Sequence, residues 1–218
     1  MDKRTPPDIR PMLTISPRSL PNLDSIELHG FELFCSNTIP ELAGLRSSGF
    51  WRNVVLPACY SEPALLHASI GLACASKSRA EQTIAPSNTY VQNKRLIAVA
   101  EYNKSIRFLQ EHIEKHEEAG SLRIVLIACV MFTTFELFSG RVGKAAMHLE
   151  NGRKLLIQLY RTPKKRSAIA GPDSESTRLY FAQRPESVED YLINIFAHMD
   201  RAYSPRLFLL FHIVFWGL

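Results

Sequence analysis

Apolar positions along most of this chain recur at helical spacing, and no stretch alternates as a half-buried strand would. Ile26–Asn37 places Leu28, Phe31 and Phe34/Cys35 about one turn apart, with Asn37, Thr38 and Pro40 as punctuation. Pro40–Leu56 continues with Leu42, Leu45, Phe50, Trp51, Val54 and Val55, and Pro57 is expected to stop it. Ser61-Glu62-Pro63 reads as a helix start, a hydroxyl cap with proline in the first turn. That helix is expected to reach about Lys77, with Ala68, Gly71, Ala73 and Ala75 allowing a neighbour to approach closely. Residues 79–90 form a polar break around Pro86.

The next helix spans roughly Val91–Glu118. Val99, Tyr102, Ile106, Leu109 and Ile113 form its apolar stripe, and Lys94, Glu101, Lys104, Arg107, Glu111 and Lys115 its opposite face. Glu111 and Lys115 suit an i,i+4 ion pair. Gly120 ends this helix and Ser121 is placed to cap the following one. Leu122–Phe138 is apolar almost all round, which predicts the centre of a bundle, and Gly140 breaks it. Val142–Tyr160 repeats Ala145, Leu149, Gly152, Leu156 and Leu159, so Gly152 reads as a close-packing point inside a helix. A last helix covers about Ser187–Tyr203. The predicted fold class is all-α, an array of antiparallel helical hairpins forming a bundle or solenoid-like stack.

The domain organisation follows. Residues 1–24 hold five of the thirteen prolines and read as a disordered leader without a secretory signal. Residues 25–160 form the helical domain, 161–186 a polar linker, and 187–218 a C-terminal helical segment. Two apolar stretches, Ile124–Phe138 and Leu207–Trp216, are shorter than the about 20 residues of a spanning helix, so no membrane association is expected.

Composition changes the picture at two points. Hydrophobic residues make up 46% and charged residues 22%, enough apolar side chain to fill a core, so a wholly disordered chain is excluded. Cys35, Cys59, Cys74 and Cys129 contain no CxxC spacing, and read as free thiols rather than a disulfide framework.

The net charge of +5 first suggests a nucleic-acid partner. It resides in one stretch. Arg141–Arg166 holds eight basic residues against Glu150 alone, a net +7, while the remainder carries 18 basic and 20 acidic residues, a net −2. Lys164, Lys165 and Arg166 are a candidate nuclear-import loop, a contact for acidic partners, or a solvated surface loop.

Catalytic patterns do not assemble. His112 and His116 are four apart, but Ile113 stands where a zincin requires glutamate, and the pair reads as a solvated face. GRVGKA (Gly140–Ala145) lacks the first glycine and the hydroxyl of a phosphate-binding loop. His67 and His148 lie in apolar helices and read as packed, hydrogen-bonded core histidines. No catalytic, cofactor-binding or metal-ligating residues are assigned, and no cofactor or enzyme activity is expected.

Three blocks carry a resemblance. FWRNVVLPACYSEPALLHASIGLA (Phe50–Ala73), EYNKSIRFLQ (Glu101–Gln110) and IVLIACVMFTTFELFSGRVGKAAMHLENGRKLL (Ile124–Leu156) resemble, in order and approximate spacing, the conserved blocks of the fungal-specific transcription factor regulatory domain. The third block is the most specific: an apolar helix ends in Phe135-Glu136, Gly140 turns the chain, and a helix with His148, Gly152, Leu155 and Leu156 packs back. Phe50, Trp51, Tyr102, Glu136, Gly140, His148 and Gly152 are the structural motif positions so implied. Glu136 needs a donor, for which His148 and Arg153 are the candidates. The resemblance implies a nuclear regulator of metabolic or secondary-metabolite genes, with the cytoplasm as the alternative location. Its relatives typically read DNA through a six-cysteine zinc cluster. Four cysteines cannot supply six ligands, so DNA binding by that motif is not expected. The expected partners are proteins, among them a full-length zinc-cluster regulator. A helical interaction scaffold outside transcription and a sensor of an unknown small-molecule effector are the alternatives. The apolar run after Ala202 departs from the family pattern, and truncation, a fragmentary gene prediction and a read-through intron each account for it.

Overall fold

The computed structural model of the chain describes residues 23–43, 49–84, 89–115, 119–159 and 185–202. All regular elements among them are helical: α1 (Ser25–Leu33), a π-helical turn π1 (Phe34–Thr38), α2 (Ile39–Leu42), a second π-helical turn π2 (Phe50–Val55), α3 (Leu56–Cys59), α4 (Pro63–Ile84), α5 (Thr89–Lys115), α6 (Ala119–Phe138), α7 (Val142–Leu159) and α8 (Val188–Ala202). The expected all-α class holds. α4 packs most extensively on α5 and α6 on α7, forming two helical hairpins, and α4 also packs on α6 and α1.

Local chemistry sets the starts. Asp24 accepts from the N–H groups of Ile26 and Glu27 at 2.8 Å each. The Glu27 carboxylate accepts from the Asp24 N–H at 2.9 Å, completing a capping box. Ser187 and Asp190 cap α8 in the same reciprocal way, each side chain accepting the other's N–H at 3.1 Å.

Neither Pro40 nor Pro57 stops its helix, contrary to expectation. Each is the second residue of a short α-helix that follows a π turn. The Ile39 N–H bonds the Phe34 carbonyl, and the Leu56 N–H the Trp51 carbonyl, both five residues back. A proline ring in an unbroken α-helix clashes with the carbonyl four residues earlier; a widened turn just before it shifts that register.

Three other boundaries differ from expectation. Ser61 does not cap α4: its hydroxyl donates to the Ala58 carbonyl, and the Glu62 carbonyl takes the first helical N–H groups, from Leu65 and Leu66 at 3.0 Å. α4 runs on to Ile84 because its polar last turns find partners. Lys77 pairs with Glu81 at 3.4 Å, the Ser78 hydroxyl donates to the Val91 carbonyl, and the Arg79 guanidinium lies over the Phe138 ring. α6 begins at Ala119, so Gly120 and Ser121 lie in its first turn rather than ending one helix and capping the next.

The largest correction concerns α5. Its buried face is Val91, Lys94, Ala98, Glu101 and Ser105, while Val99 and Ile113 of the expected apolar stripe are exposed. Small residues explain the rotation. A Cβ on Gly71 of α4 would stand 3.1 Å from the Ala98 carbonyl and 3.2 Å from the Tyr102 nitrogen, so the two backbones nearly touch. The Ser105 hydroxyl donates to the Ala64 carbonyl at 2.6 Å across the same contact.

α6 is the central helix, buried at Leu126, Ile127, Val130, Met131, Phe132 and Phe135 among others. It is the one described helix long and apolar enough to cross a membrane by length and composition, but 72% of that window is buried within the fold. It ends in a Schellman turn: the Gly140 N–H bonds the Leu137 carbonyl, the Arg141 N–H bonds the Glu136 carbonyl, and Gly140 has φ 72°. α7 returns with Ala145, Leu149, Gly152 and Leu156 buried, as its spacing predicts. α8 completes the same core, setting Phe196 against Gly152.

Candidate functional site

Two polar networks flank α5, one from Glu101 and one from its neighbour Tyr102. A helix rotates about 100° per residue, so adjacent positions serve different faces.

The first network joins α1, α4 and α5. His67 Nδ1 lies 2.6 Å from Glu101 Oε2 and 3.9 Å from Glu27 Oε1. Lys104 Nζ donates to Glu27 Oε1 at 2.6 Å and to Glu101 Oε1 at 2.8 Å. The His67 ring stacks on Phe108, with centroids 5.1 Å apart and planes 10° apart. Burial alone would push the Glu101 carboxyl up; hydrogen bonds from His67 and Lys104 outweigh it and hold the carboxyl below its usual range. Bonds to Glu101 and Glu27 raise Lys104. Glu27, His67 and Glu101 have the donor types of a divalent-cation site, and their ligand atoms lie within 4.8 Å of one another. Lys104 already bridges the two carboxylates, which makes the arrangement a charge-compensated brace.

The second network lies at the α6–α7 reversal and gathers three of the family-motif positions. The Tyr102 hydroxyl sits 3.1 Å from His148 Nε2. The Tyr102 ring stacks on Phe135 at 4.3 Å and meets Phe132 edge-on at 5.0 Å. Burial and the Glu136 carboxylate push the Tyr102 hydroxyl far above its usual range. His148 is held below its ordinary value mainly by burial. Glu136 takes its hydrogen bond from Arg141 Nε, not from either expected donor. His148 turns instead to Tyr102, and Arg153 pairs with Glu150 at 2.8 Å. Arg141 also lies over the Phe135 ring, 5.5 Å from its centroid.

The other motif residues have packing and turn roles. Phe50 and Trp51, the first two residues of π2, are each 2% exposed and meet edge-on. Gly140 makes the reversal. At Gly152 a Cβ would stand 2.5 Å from the Phe196 ring and 2.9 Å from Cys129 Cβ. Lys164, Lys165 and Arg166 lie outside the described residues, as does His116. His112 is not on a solvated face: its side chain is mostly covered and its Nδ1 lies 3.1 Å from Glu62. The four cysteines are free, and all but Cys35 are buried.

Sequence reasoning missed Glu27, Glu101 and Lys104 as a unit, and named no partner for His67. The signal present was the run of small residues on α4 and at Ala98 and Ser105, which marks the face where two helices meet. Arg141 was available as the residue directly after the turn glycine.

Residues 31–204 match the model of the family described as Fungal specific transcription factor domain. That span runs from the last residues of α1 through α8 and includes the second network and, of the first, His67, Glu101 and Lys104, with Glu27 just before it. No curated protein matches, and no solved structure matches.

Proposed function

The chain belongs to the fungal-specific transcription factor domain family, and on that premise we propose that it is the regulatory and interaction module of a nuclear transcription regulator. This family is one of transcription regulators and not of enzymes, which agrees with two networks whose charges are internally compensated. In this reading the chain acts through protein–protein contacts, and DNA is read by a zinc cluster outside these 218 residues, which hold four cysteines. Its targets are genes of metabolism or secondary metabolism, and residues 164–166 serve nuclear import.

The family match across residues 31–204 is the observation that carries this reading. The test follows the tagged chain in cells and the purified chain on DNA. The expected result is nuclear accumulation in cells, with no sequence-specific DNA binding by the purified chain at physiological salt. Specific DNA binding by the chain alone, or an exclusively cytoplasmic protein, overturns it.

A further inference from the structure

α5 and α7 run in the same direction, since each is the return arm of a hairpin and the outgoing arms α4 and α6 end together, with Arg79 over the Phe138 ring. The Tyr102 hydroxyl and His148 Nε2 tie the two helices across Phe132. Beyond that tie the same spacing recurs on both. Ile106, Leu109 and Ile113 stand 4, 7 and 11 residues after Tyr102, and Leu155 and Leu159 stand 7 and 11 after His148, so each set shares one helix face. Val125 lies seven residues before Phe132, on the face of α6 beneath them. Ile113 is 47% exposed, and the other five are only partly buried. These side chains form an uncharged furrow, walled by α5 and α7 and floored by α6.

We propose that this furrow holds a segment of the same chain, residues 207–216. That run, LFLLFHIVFW, is apolar at nine of its ten positions and has no acid, lysine or arginine. The course of α8 delivers it there. Glu189 pairs with Arg123, and Phe196 lies against Cys129 and Gly152, so α8 runs parallel to α6 and antiparallel to α7. Ala202 is six residues past Phe196, about 9 Å further along, which sets it level with Met147, the neighbour of His148. Residues 203–206 can span up to about 14 Å and α7 is about 10 Å across, so Leu207 reaches the mouth of the furrow. Ten residues measure about 15 Å as a helix, and the stretch from Tyr102 to Ile113 measures about 16 Å. Residues 160–184 also adjoin the furrow, at Leu159, but eight of those 25 are charged. Docking through so short a linker is intramolecular, at an effective concentration in the millimolar range, so a contact too small to hold a separate partner suffices. The segment follows the family-matched span 31–204, and the proposal does not depend on the transcriptional reading.

The chain's two tryptophans supply the test. Trp51 is buried and screened from iodide, so iodide quenching of the whole chain reports Trp216. Trp216 is expected to be shielded in the native wild type at protein concentrations about tenfold apart. Ile113→Lys is expected to raise its quenching several-fold while helical circular dichroism is kept. Gln110 is exposed beside Ile106 and Ile113, and only Cys35 among the native thiols is not buried. In a Cys35→Ser background, Gln110→Cys carrying a benzophenone maleimide is therefore expected to photo-cross-link within its own chain to residues 207–216. Should Ile113→Lys fail to fold, Phe211→Asp in the segment is read instead, and is expected to open Trp216 in the same way. A Trp216 as open to iodide in the native wild type as in urea overturns the proposal and leaves the segment to a lipid surface or another chain. Shielding that appears only at the higher concentration, shielding indifferent to the substitutions, or cross-links that fall elsewhere overturn it as well, as does a wild type that aggregates.

Discussion

Glu101 of α5 and His67 of α4 stand 2.6 Å apart, 34 residues distant in sequence, where the fold's most closely packed helix pair meets α1. Both are buried, and Lys104 and Glu27 complete their bonding. Removing one member of such a group leaves an uncompensated charge in a poorly solvated site.

Glu101→Gln is therefore expected to cost about 3 kcal/mol in denaturant unfolding, because Lys104 and His67 lose a charged acceptor. Lys104→Met should cost about 1 kcal/mol, since its side chain is 37% exposed and water can screen the carboxylates it leaves. Equal effects, or none for Glu101→Gln, would contradict the brace.

Stability should depend on pH through two groups of opposite chemistry and the same sign. Glu101 is held below its ordinary value in the fold, so the unfolded chain binds its proton first. Its contribution is present above the ordinary carboxylate value of about 4.3 and is lost as pH falls through the lower folded value. His148 is also held low, so its neutral form belongs to the fold and stability declines as pH drops below about 6.5. Melting temperatures across pH should show both steps, with Glu101→Gln flattening the acid one and His148→Gln the one nearer neutrality. Unchanged profiles in both variants would remove these assignments.

Two glycines in α7 should respond oppositely to alanine. Gly152→Ala drives a methyl into the Phe196 ring and Cys129, and is expected to cost about 2 kcal/mol despite the better helix propensity of alanine. Phe196→Leu should recover part of that loss. Gly143→Ala meets nothing within 4 Å and should stabilise by about 0.5 kcal/mol. Thermal or urea unfolding reads both, and a neutral Gly152→Ala would mean that α7 and α8 are not in this contact.

Alkylation should follow burial. The Cys59 thiol is pushed up to about 12 and Cys129 to about 11, in both cases by burial first. Cys35, half-exposed and less shielded, should react first when modification of the native chain is followed by mass spectrometry. Faster labelling of Cys59 would place π2 and α3 outside the core.

Much of this fold was legible because apolar periodicity, glycine and small residues act locally. The buried α6, the reversal at Gly140 and the close approach at Gly152 all came from that pattern. What was not legible depended on partners far away in sequence. Periodicity counts Lys94 and Glu101 as solvent-facing, yet Glu101 is bonded by His67 and Lys104, and the Lys94 ammonium lies 5.4 Å from the centre of the Tyr90 ring. Pro40 and Pro57 were read as stops because a widened turn before a proline leaves no trace in hydrophobic spacing. Arg153 and His148 are spaced to reach Glu136, but the Schellman turn brings Arg141 to it instead.

The central claim, a regulatory module of a transcription regulator, is tested most directly by tethering. The chain is fused to an unrelated DNA-binding domain, and transcription of a reporter bearing that domain's site is measured in a fungal host. The account predicts a several-fold change over the DNA-binding domain alone, abolished when Glu101→Gln and Gly152→Ala together disrupt the helical array. Reporter output equal to that of the DNA-binding domain alone, from a fusion shown to be folded and nuclear, would contradict it.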